Sequence, residues 1–273
     1  MKYTEKINNI KLSLFTNNYR GVVCYKYLIK KGLKINYIIL TKKNIDTKVI
    51  NFFIKKKINY IMISDLNNKK IKKILNETEL GLVCGFPHIF KEFQFDIPKY
   101  GLINLHAGKL PEYRGGSPLV WQILNNEKYF GISAIKVNKG IDTGNIIYEK
   151  KFRLLKKYTI EDLKILSNNF FPRILYKSIF KIVLKKKLKK QNNRKANYFK
   201  QRNTEDSLFE PTKIKFLDLN LLLRATSNTY QRPYFFSKNK KIVIKKIKIV
   251  KKKNKINTLE NFIKLKDKII KIN

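Results

Sequence analysis

Acidic residues, arginine, cysteine and histidine are all scarce in this chain of 273 residues, and each shortage narrows what it can be. Nineteen Asp and Glu face 61 Lys and Arg, a formal net charge of +42, yet only eight of the 61 are arginine. A surface built to read nucleic acid favours Arg, whose planar guanidinium makes paired contacts to phosphates and bases. The excess here is in Lys, alongside abundant Asn and Ile, and all three have A/T-rich codons. Base composition is the favoured account of the charge over a polyanion-binding role, and no nucleic-acid partner is favoured. A weak attraction to phosphorylated substrates survives. A non-enzymatic RNA- or membrane-surface-binding role would rest on charge alone.

The two cysteines, Cys24 and Cys84, have no CxxC spacing and no adjacent His, so neither a disulfide framework nor a metal site is expected. Nor does GxGxxG follow the first strand. The loop there reads Thr16-Asn-Asn-Tyr-Arg-Gly21, which gives no ground for a nicotinamide or flavin dinucleotide. No uncharged run approaches the roughly 18 residues of a membrane span, and the segment from Met1 to Lys6 has no apolar signal-peptide core. A protein without a membrane span, in a reducing cytoplasm, is expected.

Apolar residues make up 43% of the chain and aromatics 12%, spread along its length, which indicates a globular protein. Apolar strand runs over 8–16, 35–40, 58–63 and 80–84 are separated by helical patterns over 19–31, 46–56 and 67–77, with Gly32 stopping the first helix. This alternation predicts an α/β fold: a Rossmann-like, mainly parallel sheet with helices on both faces. A fifth strand, 101–106, leads into a helix over 117–125. A hairpin of 130–137 and 146–154 follows, with Asp142 at its tip. Thr159-Ile-Glu-Asp162 reads as a capping box opening a long helix to about Lys187, interrupted by Pro172. The polar stretch 185–197 reads as a linker or an exposed helix end, placing a boundary near 200 between a catalytic domain (1–200) and a small β-rich appendage (201–273). In that appendage 241–249 reads as one strand. Leu259, Phe262, Ile263, Ile269 and Ile270 fit a terminal helix, and both elements offer surfaces for a homodimer.

The chemistry concentrates where the fifth strand ends. Residues two apart on a strand face the same way, so Asn104 and His106 project together into the crevice at the strands' carboxyl ends. Taken singly, a polar residue at a strand end is more often solvated or bonded to a loop than reactive. Together with a loop aspartate the set gains a purpose: a carboxamide to stabilise an oxyanion, an imidazole to move protons, and a carboxylate to orient the imidazole. No serine or cysteine nucleophile with a supporting motif accompanies them, which points to direct acyl transfer between two bound ligands.

The run Asn104-x-His106, Leu110-Pro111-x-Tyr-Arg-Gly115, Pro118, Trp121 and Gly140-Ile-Asp-Thr-Gly144, densest over about 80–150, resembles the 10-formyltetrahydrofolate-dependent formyltransferases. That family includes methionyl-tRNA formyltransferase and the sugar N-formyltransferases. The resemblance implies an N-formyltransferase using N10-formyltetrahydrofolate as co-substrate, without metal, and with Asn104, His106 and Asp142 catalytic. It also implies folate contacts from Phe86, Pro87, His88, Ile89 and Phe90, from Leu110 and Pro111, and from Asn138, Lys139, Gly140 and Ile141. His88 is given no proton-transfer role. One departure is visible: the family loop after the histidine often reads Ser-Leu-Leu-Pro, and here it is Gly108-Lys-Leu-Pro111.

The acceptor is an inference from absence. The second strand leads almost directly into the next helix, without the basic insertion of the tRNA-acting enzymes, and 201–273 is short for their second domain. The expected acceptor is the primary amine of a nucleotide-linked amino sugar, in cell-surface glycan (lipopolysaccharide/O-antigen) biosynthesis. Charged initiator tRNA is the alternative. Residues 223–233 resemble the wider family only weakly and identify neither sugar nor nucleotide.

Overall fold

The computed structural model describes residues 7–226, 230–249 and 262–272. The chain divides into two compact units, each made of segments that alternate along the sequence. One comprises residues up to 114 with 131–151 and 165–197; the other comprises 115–130, 152–164 and 198 onward.

The first unit is built on strands β1 (Leu12–Phe15), β2 (Ile35–Thr41), β3 (Ile61–Ile63), β4 (Leu80–Val83) and β5 (Leu102–His106). After the short β6 (Arg114–Gly115), β7 (Tyr129–Lys136) and β8 (Ile146–Arg153) complete a seven-stranded sheet of order β3-β2-β1-β4-β5-β7-β8. The pairings β1–β2, β2–β3, β1–β4 and β4–β5 are parallel, and β5–β7 is antiparallel. Every residue of β1 and β4 is buried, as expected of parallel strands at the centre of a sheet.

Helices α1 (Tyr19–Lys30), α2 (Thr47–Lys55) and α3 (Lys69–Glu77) connect the parallel strands. Each starts on a short polar side chain, Asn18, Asp46 or Asn68, that accepts from the backbone N–H two residues on. The chain leaves β1 to one side for β2 and β3, then returns to the other side at β4. The carboxyl ends of β1 and β4 are thus the switch point where open α/β sheets bind ligands. Asn17 ties these ends together. Its backbone N–H donates to Gly85, its amide donates to the carbonyls of Thr41 and Lys43, and its side-chain oxygen accepts from the Thr41 N–H.

After α4 (Glu92–Phe95) and α5 (Pro118–Leu124), α6 runs unbroken over Ile160–Val183, through Pro172. Proline removes one helical hydrogen bond, but Phe171, Leu175 and Ile179 on the flanking turns are fully buried, and this packing carries the helix across the gap.

In the second unit α7 (Phe216–Ala225) packs with β10 (Tyr234–Ser237), β11 (Lys240–Val243), β12 (Ile247–Ile249), β13 (Phe262–Lys264) and β14 (Ile269–Ile272) around one apolar cluster, and β9 (Tyr198–Phe199) pairs with β6. The expected strand over 241–249 is split between β11 and β12. The expected terminal helix is corrected to two strands: Ile263 pairs with Ile270, and Ile270 with Ile249, in a three-stranded sheet. Ile270 and Ile272 are buried while Lys271 is exposed, the period-two pattern of a strand. Leu259, the first position of that expected helix, and residues 227–229 of the 223–233 segment lie outside the described residues.

Candidate active site

Strand β5 carries Asn104 and His106 to the edge of the crevice, and antiparallel pairing sets Asn104 opposite Ile135 and His106 opposite Ser133 on β7. The chain then continues from β7 through the turn 138–144, which returns Asp142 to the same place. Asn104 Nδ2 donates to Asp142 Oδ1 at 3.2 Å, and Asp142 Oδ2 lies 3.3 Å from His106 Nδ1. One carboxylate thus faces both other groups. His106 and Asp142 keep only 6% and 11% of their side-chain surface exposed, so their interaction is screened far less than a surface pair would be.

The second ring nitrogen of His106, Nε2, lies 2.6 Å from the carbonyl oxygen of Tyr113. Both nitrogens face acceptors, which fixes the ring orientation. The tight contact depends on Gly108. A Cβ at that position would stand 2.4 Å from His106 Nε2 and 2.7 Å from the Tyr113 oxygen. The departure from the Ser-Leu-Leu-Pro pattern therefore falls where a side chain would collide with the histidine. Ser133 on β7 holds the same loop by donating to the Gly108 carbonyl.

Asp142 has φ +53°, a left-handed conformation that Asp tolerates better than most residues. Gly144 follows two residues later, where a Cβ would be 1.7 Å from the Lys136 carbonyl oxygen, so only glycine lets the turn close on β7. Thr143 Oγ1 donates to Asn138 Oδ1 across the turn.

Of the residues expected to touch folate, Phe86 and Phe90 stack on each other, and both meet Phe15 edge-on at the end of β1. Their side chains are anchored in the core under the switch point. His88 Nε2 sits 3.1 Å from Thr41 Oγ1, and Ile89 is 73% exposed. The His88 pKa is lowered, first by partial burial and then by Lys43, against a smaller opposing effect of Asp65. That suits a hydrogen-bonding rather than a charged role. Leu110 and Pro111 are buried, Leu110 in a small core cluster with Ile135 and Ile146. Asn138, Lys139, Gly140 and Ile141 are exposed, and Lys139 reaches Glu92 at 3.8 Å.

Three supports escape a sequence reading. Arg20 on α1 donates to the carbonyl of Leu105, between the two polar residues of β5, with its guanidinium 4.3 Å from the Phe171 ring centre. Arg114 lies within the quoted motif but carried no assigned role. Its guanidinium donates to Gln191 Oε1 and Asn193 Oδ1. Gln191 sits in the stretch read as a linker and donates in turn to the carbonyls of Asp142 and Gly144. Only the YRG motif gave any signal for these; a lone Gln in a polar stretch gives none. Among the described residues no group of His, Cys, Asp and Glu could hold a metal ion, and no helix is long and apolar enough to cross a membrane.

Comparison with known proteins matches residues 39–177 to the formyl transferase family. A methionyl-tRNA formyltransferase of Prochlorococcus marinus is 31% identical over 181 residues, 62% of this chain and 53% of that protein. The chain thus spans about half the length of this curated relative. Among solved structures, an N-formyltransferase from Helicobacter canadensis in complex with folinic acid and dTDP-3-aminofucose has a TM-score of 0.72 at 23% identity. The match covers 96% of this chain and 99% of that one. A 4-N formyltransferase from Francisella tularensis has a TM-score of 0.70 at 20% identity, covering 87% and 97%.

Proposed function

Because this chain belongs to the formyl transferase family, we propose that it moves a formyl group from N10-formyltetrahydrofolate to the primary amine of a nucleotide-linked amino sugar. The observation that carries the reading is the meeting of Asn104, His106 and Asp142 at the end of β5. An amide nitrogen bears two N–H groups. Asn104 spends one on Asp142, and the other is the donor for the oxyanion formed when the neutral amine attacks the formyl carbon. His106 is held at Nε2 by Tyr113, so the Nδ1–Asp142 edge takes up the proton lost by the amine and returns one to N10 as the folate leaves. The C–N bond to the acceptor forms as the formyl carbonyl becomes the oxyanion, the C–N10 bond breaks when the oxyanion collapses and N10 takes the proton, and no covalent enzyme intermediate is involved.

Folate as co-substrate fits the switch point. The backbone of 86–90, anchored by Phe86 and Phe90, and the exposed turn 138–141 would bind the pterin, with Gly108 to Pro111 at its border. Two observations support a sugar acceptor. The Helicobacter canadensis protein of like fold was solved with a dTDP-linked amino sugar. Here β2 ends at Thr41 and α2 begins at Thr47, leaving no room for a basic insertion. The product would enter cell-surface glycan synthesis, with the enzyme in the cytoplasm.

The second reading, formylation of charged initiator tRNA, is supported by the name of the Prochlorococcus marinus relative. The deciding experiment incubates the protein and N10-formyltetrahydrofolate with a panel of amino-sugar nucleotides and, separately, with charged initiator tRNA, and follows gain of one formyl group by mass. Formylation of tRNA alone transfers the assignment to the second reading. Replacing Asn104, His106 or Asp142 by Ala should lower kcat by about 100-fold or more while the fold persists. Full activity in all three variants would refute the mechanism.

A further inference from the structure

We propose that Gln191 is a positioning residue for Asp142, holding the hairpin tip in the conformation that aims its carboxylate at His106 and Asn104. The inference rests on the formyl-transfer reading for its kinetic consequence but not for its geometry.

The tip needs such a hold. Asp142 is in the left-handed region, which costs a residue with a side chain about 1–2 kcal/mol, reduced for Asp. Residues 138–141 just before it are exposed, and β8 starts only at Ile146. Gln191 Nε2 donates to the carbonyl oxygens of Asp142 at 2.8 Å and Gly144 at 2.7 Å, bracketing the turn from behind. Its Oε1 accepts from Arg114 Nε at 3.1 Å and Nη2 at 2.9 Å.

With two carbonyl acceptors at one end and a guanidinium at the other, the amide has a single workable orientation. Arg114 is itself 2% exposed and fixed by Asn193 Oδ1 at 2.7 Å and by its own backbone N–H donating to the Asn197 carbonyl. The segment bearing Gln191 is docked by reciprocal backbone bonds between Lys189 and Ile146, at 2.8 and 3.0 Å. A stretch that reads as a linker is therefore the rear support of the hairpin.

Gln191→Glu is the discriminating variant. It has the same shape and keeps an acceptor for Arg114, but sets a carboxylate oxygen against two carbonyl oxygens and loses both tip bonds. Three measurements are made: steady-state kinetics, thermal midpoint, and the ring carbon–proton signals of the two histidines by NMR. The expected result is a kcat lowered about 10- to 100-fold with KM for both substrates within twofold and the midpoint within a few degrees. The His106 ring signal should move toward its position in Asp142→Asn while the His88 signal stays. In an Asp142→Ala background the substitution should lower kcat no further.

Unchanged kcat, a kcat that falls only with the melting midpoint, or additive loss on Asp142→Ala would overturn the proposal. The NMR readout reports the Asp142–His106 contact whatever the acceptor proves to be. An unmoved His106 signal therefore refutes the positioning role, whereas a moved signal without any formyl transfer refutes only the assigned reaction. Should Gln191→Glu fail to fold, Arg114→Met, which removes the partner that orients the amide, is read by the same signal, with a still His106 ring again refuting the role.

Discussion

His106 Nε2 and the carbonyl oxygen of Tyr113 are 2.6 Å apart, and they are that close because residue 108 has no side chain. The imidazole is seated on main chain at one nitrogen and on Asp142 at the other, so its position is set from both ends.

Gly108→Ala should therefore act on the histidine. Its Cβ would lie 2.4 Å from Nε2, and the ring must yield. We expect kcat to fall about 100-fold, the scale on which a misplacement of about an ångström acts, with stability changed by no more than about 1 kcal/mol. Kinetics and urea unfolding of the same preparation check both halves.

His88 separates folding from catalysis. Its folded pKa is depressed, by burial first and Lys43 second, so the stability it contributes is present above the unfolded value of about 6.5 and is lost as pH falls through the lower folded value. His88→Gln should thus lose less stability than the parent between pH 7 and 5 in urea titrations. If His88 takes no part in proton transfer, as the proposed mechanism has it, the pH profile of kcat should keep its shape; a lost limb would assign His88 to the chemistry.

The capping box at the start of α6 gives a second pH signature. Backbone and side-chain hydrogen bonds from Thr159 hold the Asp162 carboxyl below its usual pKa. Its stabilisation is present above the unfolded value of about 3.9 and is lost as pH falls through the folded one. Asp162→Asn should be less stable than the parent at pH 6, by about 0.5–1 kcal/mol, with the gap narrowing below about pH 4. Denaturant midpoints across that range test it.

Arg224 ties the end of α7 to the segment before α6. It donates to the carbonyls of Tyr158 at 2.9 Å and Leu155 at 3.1 Å, and burial draws its pKa down. Arg224→Met takes the guanidinium from the Tyr158 carbonyl, while the Leu155 carbonyl keeps the Tyr158 N–H, and should cost about 1–3 kcal/mol. Arg224→Lys should recover part of this, since an ammonium cannot reproduce the planar fork. Urea midpoints of the two variants give the comparison.

The parallel half of the sheet was legible because β1, β2 and β4 are mostly apolar runs separated by capped helices. Asn104 and His106 stood out because they lie two apart on one strand, whereas Asp142, 38 positions from Asn104, was singled out by its turn and by the family resemblance. What escaped depends on partners far apart in sequence. The strands at 262–272 carry an Ile pattern that fits period two or 3.6 equally, and only pairing with β12 decides it. Arg20 reaches Leu105 across 85 positions and Gln191 reaches Asp142 across 49, through single polar side chains with no periodicity to betray them.

The antiparallel register of β5 on β7 has a consequence for how such a site can change over evolution. Asn104 and His106 ride on one strand, while Asp142 leaves the other only after Lys136, so their separation is counted in whole steps of a hydrogen-bonded ladder. A one-residue slip shifts the groups by about 3.3 Å and turns the side chains of the slipped strand to the opposite face. No intermediate setting exists. Insertions in either strand are therefore all-or-nothing for the reaction, whereas the exposed turn before Asp142 can vary in sequence and retune the ligand without disturbing the chemistry.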